Sequence, residues 1–154
     1  MHIANVRDLL RAALVGIVVA IGTGLVTVPL FKSGVPPMPE APSLAFAKTL
    51  FGPVPDPIGL VFHVVYVTVV TTAFLALAGP RPSGTAIAGA SVALYAIAVL
   101  AIFPIVGWGI AGTAITPKIG VAAIGPHVLY GLMLWGAGRA VFGPRNPGGE
   151  RAYA

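Results

Sequence analysis

The chain has 154 residues, of which 57% are hydrophobic and only 8% charged, and it carries a formal net charge of +5. About a quarter of the residues of an ordinary soluble domain are charged, so this composition cannot dress a water-exposed surface and excludes a soluble enzyme, a nucleic-acid-binding domain and a disordered chain. There is no cysteine, which excludes disulfides, thiolate metal sites and iron–sulfur clusters.

Four uncharged runs organise the chain as a single integral membrane domain over 1–154. They cover 12–31, 57–78, 85–110 and 119–138, that is 20, 22, 26 and 20 residues. About 20 helical residues cross a hydrocarbon core of ~30 Å. The runs are continuous rather than alternating, which favours helices over barrel strands. The first run follows Arg7 and Arg11 but is longer than a signal-peptide core, and no clear small-x-small cleavage site follows Phe31, so it reads as a retained span. The third run has surplus length and contains Pro104, which predicts a tilt or kink. The expected fold is an all-α membrane bundle of four transmembrane helices.

The loops set the orientation. Arg7, Arg11, Arg81, Arg139, Arg145 and Arg151 fall on one side, and Lys32, Lys48 and Lys118 on the other. By the positive-inside rule both termini are cytoplasmic, in a plasma (inner) membrane. The connection at 79–84 is short, with Gly79 and Pro80 ending the preceding helix. The first outer loop, 32–56, is long and rich in proline (Pro36, Pro37, Pro39, Pro42, Pro53, Pro55, with Pro57 at its boundary). Within it 43–51 predicts a short interfacial helix, capped by Ser43 and with Leu44, Ala47, Leu50 and Phe51 on one face.

The most specific pattern is an internal repeat at an offset of 64. His63-Val64-Val65-Tyr66 is followed by Gly79-Pro80-Arg81, which begins 16 residues after the histidine. His127-Val128-Leu129-Tyr130 is followed by Gly143-Pro144-Arg145 at the same interval. Pro29 and Pro104 add a looser echo in the outer parts of spans one and three. Repeat one (about 9–82) and repeat two (about 85–147) each run out and back. The expectation is therefore two parallel-repeat helical hairpins related by an axis along the membrane normal. His63 and His127 then lie at similar depths, about two turns below the outer surface, where pseudo-symmetry can set them face to face. Gly16, Ala20 and Gly24 form a small-residue ridge on span one, and Gly89 with Ala93 a shorter one on span three; both read as helix contacts.

Within the spans the titratable groups are His63, His127, Tyr66, Tyr95 and Tyr130, with no Asp, Glu or Lys in mid-membrane. His63 and Tyr66 share a helix face, as do His127 and Tyr130. Three uses of this pair are open. The histidines can pin helices together by bonding a carbonyl or a tyrosine. They can titrate as a proton site. They can ligate a cofactor. Zinc would need loop ligands such as Glu40 or Asp56. A b-type haem needs only two axial ligands; Gly59, Gly125 and Gly131 would leave room for the macrocycle, and Lys48 or Lys118 would meet its propionates. Thr68, Thr71 and Thr72 are expected to bond their own helix. Phe103 and Trp108 read as an outer aromatic belt and Trp135 as an inner one. His2 and Met38 read as unremarkable terminal and loop residues.

Several of these stretches resemble the YagU-like small four-span inner-membrane proteins and their uncharacterised relatives. They are Arg11-Ala12-Ala13-Leu14-Val15-Gly16, Gly34-Val35-Pro36-Pro37-Met38-Pro39, Gly59-Leu60-Val61-Phe62-His63 and Gly125-Pro126-His127-Val128-Leu129-Tyr130-Gly131. The resemblance implies four spans and, for some members, a part in acid tolerance. It assigns no mechanism.

No nucleophile–base pair, phosphate loop or paired carboxylate is present, so a non-enzymatic subunit is expected. It would be an accessory component of a larger redox or transport assembly, with His63, His127, Tyr66 and Tyr130 as its site, haem b as the candidate cofactor and His63 and His127 as the metal ligands. Its partners would be the bilayer and other membrane subunits or further copies of itself, and not nucleic acid. The alternatives are a small transporter or proton-handling protein and a purely structural packing subunit.

Overall fold

A computed structural model describes residues 5–143. Four helices are long and apolar enough to cross a membrane: α1 (Val6–Lys32), α3 (Asp56–Ala78), α4 (Gly84–Ile105) and α5 (Lys118–Phe142). A shorter helix, α2 (Pro42–Phe51), lies in the first long loop. There is no strand among the described residues. The four-helix membrane architecture expected from the apolar runs is thus present. The second halves of the Gly-Pro-Arg copy, Pro144 and Arg145, together with Arg151 and His2, lie outside the described residues.

Each helix boundary has a local cause. The Asn5 side chain accepts the Asp8 amide at 2.8 Å and so caps α1. This cap starts α1 a turn and a half before the uncharged run. Its 27 residues span about 40 Å at ~1.5 Å each. α2 begins with Pro42 in its first turn, after Ala41 in extended conformation, and no side chain caps it. Ser43 is therefore not the cap. Leu44, Ala45 and Ala47 are the buried residues of α2, whereas Leu50 and Phe51 project outward, 54% and 65% exposed. Ser83 caps α4 by accepting the Ala86 amide.

The expected disturbance in span three is real and specific. Residues 98–102 form a π-helical turn, in which the Phe103 amide donates to the Ala98 carbonyl. Pro104, lacking an amide hydrogen, sits just beyond this widened turn. The helix ends at Ile105, five residues short of the uncharged run, because Gly107 and Gly109 turn into left-handed conformation (φ 81° and 74°). The chain then folds back over the bundle's end. Trp108 is buried and its ring lies 5.3 Å from that of Phe103. Both join Val99, Ile119, Ala123 and Ala45 in a second small core, so the pair is interior and not a lipid-facing belt. Trp135 is 47% exposed with the Arg139 guanidinium 4.1 Å over its ring, as suits a helix end near a polar boundary. α5 carries a break the sequence reading missed: a turn at Ala123 separates Lys118–Ala122 from Ile124–Phe142. Pro126, which cannot donate to the Ala122 carbonyl, accounts for it.

The packing is centred on α1. It runs along α3 on one side and α5 on the other, and α5 also packs against α4. A Cβ on Gly16 would stand 2.8 Å from the Thr68 carbonyl oxygen, and one on Gly24 would touch Leu60 and His63. α1 and α3 are therefore antiparallel and in close backbone approach. Gly131 similarly admits Ser91 between α4 and α5, and Gly59 admits the backbone of α2 at Leu44. These two glycines are filled by neighbouring elements and leave no room for a macrocycle; only Gly125 faces open space. Gly89 also meets nothing within 4 Å, and Gly89 and Ala93 are both exposed, so the ridge expected on span three is not a contact within the chain. The Arg81 guanidinium, in the α3–α4 turn, donates to the Phe142 carbonyl at the end of α5. This satisfies a terminal acceptor and sets a cation at the negative end of the helix.

Gly16→Val is expected to lower stability by about 1–3 kcal/mol through overpacking, while Gly89→Val leaves it unchanged; thermal melts in detergent, followed by circular dichroism, check both.

Candidate functional site

A cavity of about 910 Å³ lies in the half of the bundle nearer α2. It is bounded by α1, α2, α3, α4 and α5, and all four residues singled out from the repeat (His63, Tyr66, His127 and Tyr130) line it. Its size is near the upper end of the ~300–1,000 Å³ range of small-molecule sites. The walls are mainly apolar, with Leu60, Phe62, Val67, Leu94, Ile102 and Phe103 among them. A charged rim carries Lys32, Asp56 and the Glu40–Lys48 ion pair (2.6 Å). Met38 lines the cavity and packs against the second core, which makes it a wall residue.

The two histidines share the cavity but not their surroundings. His63 Nε2 lies 3.1 Å from the Ala20 carbonyl and 3.1 Å from Thr23 Oγ1, both on α1. A carbonyl only accepts, so Nε2 carries the hydrogen. The Thr23 hydroxyl donates to the α1 carbonyls of Val19 and Ala20 and accepts from the imidazole. His63 is thus a bridge from α3 to α1, and Nδ1 is its bare nitrogen. His127 turns the other way: Nδ1 donates to the carbonyl of Ala123, one turn earlier in its own helix, at 2.7 Å. Its Nε2 makes no hydrogen bond among the described residues. Tyr95 meets the ring edge-on at 5.7 Å between centroids.

The tyrosines differ too. The Tyr130 hydroxyl bonds Thr71 Oγ1 at 3.2 Å, and both residues are buried. Tyr66 is 43% exposed, and its hydroxyl has no partner among the described residues. Of the three threonines, Thr72 bonds the Thr68 carbonyl as expected. Thr71 instead bonds across to α5, and Thr68 Oγ1 is buried without a partner among the described residues. Tyr95 donates to the Gly120 carbonyl and so ties α4 to the start of α5.

No group of three or more His, Asp or Glu side chains able to hold a metal ion occurs among the described residues. Lys118 does not line the cavity, and Lys48 is engaged by Glu40. What sequence reasoning missed is the groove itself. It follows from α3 and α4 not packing along each other, which no residue motif announces.

Comparison of the chain with protein-family models, with curated proteins and with solved structures finds no match.

Tyr130→Phe is expected to lose about 1 kcal/mol of stability, the value of one net hydrogen bond. Tyr66→Phe should change nothing in the same thermal melt.

Proposed function

We propose that the chain is a non-enzymatic integral membrane subunit, in a plasma (inner) membrane with both termini cytoplasmic, that holds a small ligand in the His63/His127 cavity on behalf of a larger redox or transport assembly. One observation carries this reading: the two imidazoles of the repeat, on different helices, line a single apolar cavity of about 910 Å³. Intramembrane ionisable residues are expensive to place, and a function is the usual reason they are there.

A b-type haem is the cofactor the histidine pair brings to mind, and the donor set bears on it unequally. His127 is the residue that would hold it, with Nδ1 on the Ala123 carbonyl and Nε2 without a hydrogen bond among the described residues. His63 uses its Nε2 on α1. A haem here would therefore be held on His127, where it would supply a one-electron centre; a His63 contribution needs that ring to leave Ala20 and Thr23.

The proton-handling reading is favoured by a different detail. His127 Nε2 makes no hydrogen bond among the described residues and is open to a proton, while the Ala123 carbonyl accepts from Nδ1 in either protonation state. The acid-tolerance role implied by the YagU-like resemblance belongs with this second reading.

The experiment is purification from native membranes, with haem available, followed by solvent extraction and mass spectrometry. A stoichiometric small molecule in the wild type, absent from Ala98→Phe, in which a ring fills the cavity, is the expected result. A reduced-minus-oxidised spectrum of the same sample reads the haem arm: bands that survive His63→Ala and vanish in His127→Ala are expected if haem is the occupant. Proton flux into proteoliposomes that is unchanged when both histidines become alanine removes the proton-handling reading.

A further inference from the structure

We propose that the cavity takes a membrane-soluble quinol, an aromatic diol on an apolar tail, which enters from the bilayer between α3 and α4 and donates a hydroxyl hydrogen to the bare nitrogen of His127. The inference rests on the reading of the cavity as a ligand site and names the class of its ligand.

The His63 N–H is shared between the Ala20 carbonyl and Thr23. The His127 N–H goes to Ala123. Thr27 bonds the Thr23 carbonyl, and the Tyr130 hydroxyl pairs with Thr71. Deep in the cavity there remain one bare nitrogen on each imidazole and the hydroxyl of Tyr66. A bare imidazole nitrogen accepts and cannot donate. The Tyr66 hydroxyl can both donate and accept, so the unmet demand is at the two imidazoles: each calls for a donor, and in a membrane the donor must arrive on an apolar carrier. A quinol head supplies two hydroxyls on a flat ring that suits walls containing Phe62 and Phe103. The oxidised quinone presents only carbonyl oxygens, which the Tyr66 hydroxyl can meet but which would face the lone pairs of the imidazoles. A fatty acid presents a carboxylate with the same defect, and its charge would draw it to Lys32 at the rim. The two imidazoles thus favour the quinol over the quinone.

The route follows from packing. α3 contributes His63, Tyr66 and Val70 to the cavity, and α4 contributes Leu94, Ala98 and Ile102. The two helices do not pack along each other, so the cavity between them faces the acyl chains of the bilayer and gives an apolar tail a way out.

The test uses the full chain in nanodiscs under anaerobic conditions at pH 8, with three probes of matched tail: decyl-benzoquinol, decyl-benzoquinone and decylbenzene. Binding is read by tryptophan and tyrosine fluorescence. The quinol is expected to bind about tenfold more tightly than the quinone, the difference one good hydrogen bond supplies. That preference should fall away in His127→Ala and return in part in His127→Gln. Ala98→Phe should abolish binding of all three probes. The wild-type preference decides the matter even if a histidine variant fails to fold. Equal binding of the three probes, blocked by Ala98→Phe, overturns the quinol and leaves the cavity reading standing. Quinone binding tighter than quinol, or haem in the purified wild type, also overturns the quinol. Failure of all three to bind, with Ala98→Phe indistinguishable from wild type, overturns both.

Discussion

The close approach of α1 to α3 at Gly16 is the constraint on which the rest of the bundle depends. In a bilayer, apolar side chains gain little from leaving lipid for protein, so helices are held by fit and by polar contacts. A Cβ at Gly16 would stand 2.8 Å from the Thr68 carbonyl oxygen; without it, two backbones come within van der Waals reach over a long stretch. That approach brings His63 within bonding distance of Ala20 and Thr23, and it draws α3 toward α1 and away from α4. The groove is the consequence. A bundle that closed all four helices evenly about one axis would have had no such space.

The two histidines line one cavity in different settings. Two histidines at the same register in two hairpins reach a common cavity, yet one bonds across to a neighbouring helix and the other bonds back to its own. The reason is local. His127 Nδ1 reaches the carbonyl of Ala123, at the turn that interrupts α5, whereas α3 is continuous past His63 and that imidazole finds its acceptors on α1. The two His-x-x-Tyr stretches thus hold their histidines in different hydrogen-bonding states, His63 bonded across to α1 and His127 bonded back to Ala123.

Much of the architecture was legible in the residues. Apolar runs of the right length placed the four spans, the Gly-Pro pair placed the 79–83 turn, and the proline-flanked stretch after residue 42 gave a helix. Helix ends were less legible: Asn5 extends α1 beyond its uncharged run, and Gly107 and Gly109 stop α4 inside its own. Gly59 and Gly131 show why a glycine cannot be interpreted alone. An absent Cβ is equally a sign of space or of a neighbour occupying it, and here Leu44 and Ser91 occupy it. Trp108 misled for a related reason: an aromatic near a helix end fits both a membrane boundary and a folded loop, and only the chain's return over the bundle distinguishes them. The spacing of the repeat pointed to His63, Tyr66, His127 and Tyr130. The direction of each ring nitrogen was not in the sequence, because it depends on carbonyls contributed by other turns and other helices.

The contact from Arg81 to the end of α5 has a mechanical meaning. It fastens the linker between the two hairpins to the last turn of the second, at the end of the molecule opposite the cavity. Any breathing of α3 against α4 is then pinned at that base, and the amplitude must grow toward the far side, as in tongs joined at one end. A ligand arriving from the acyl chains would be admitted by a spreading that leaves the clasped end untouched.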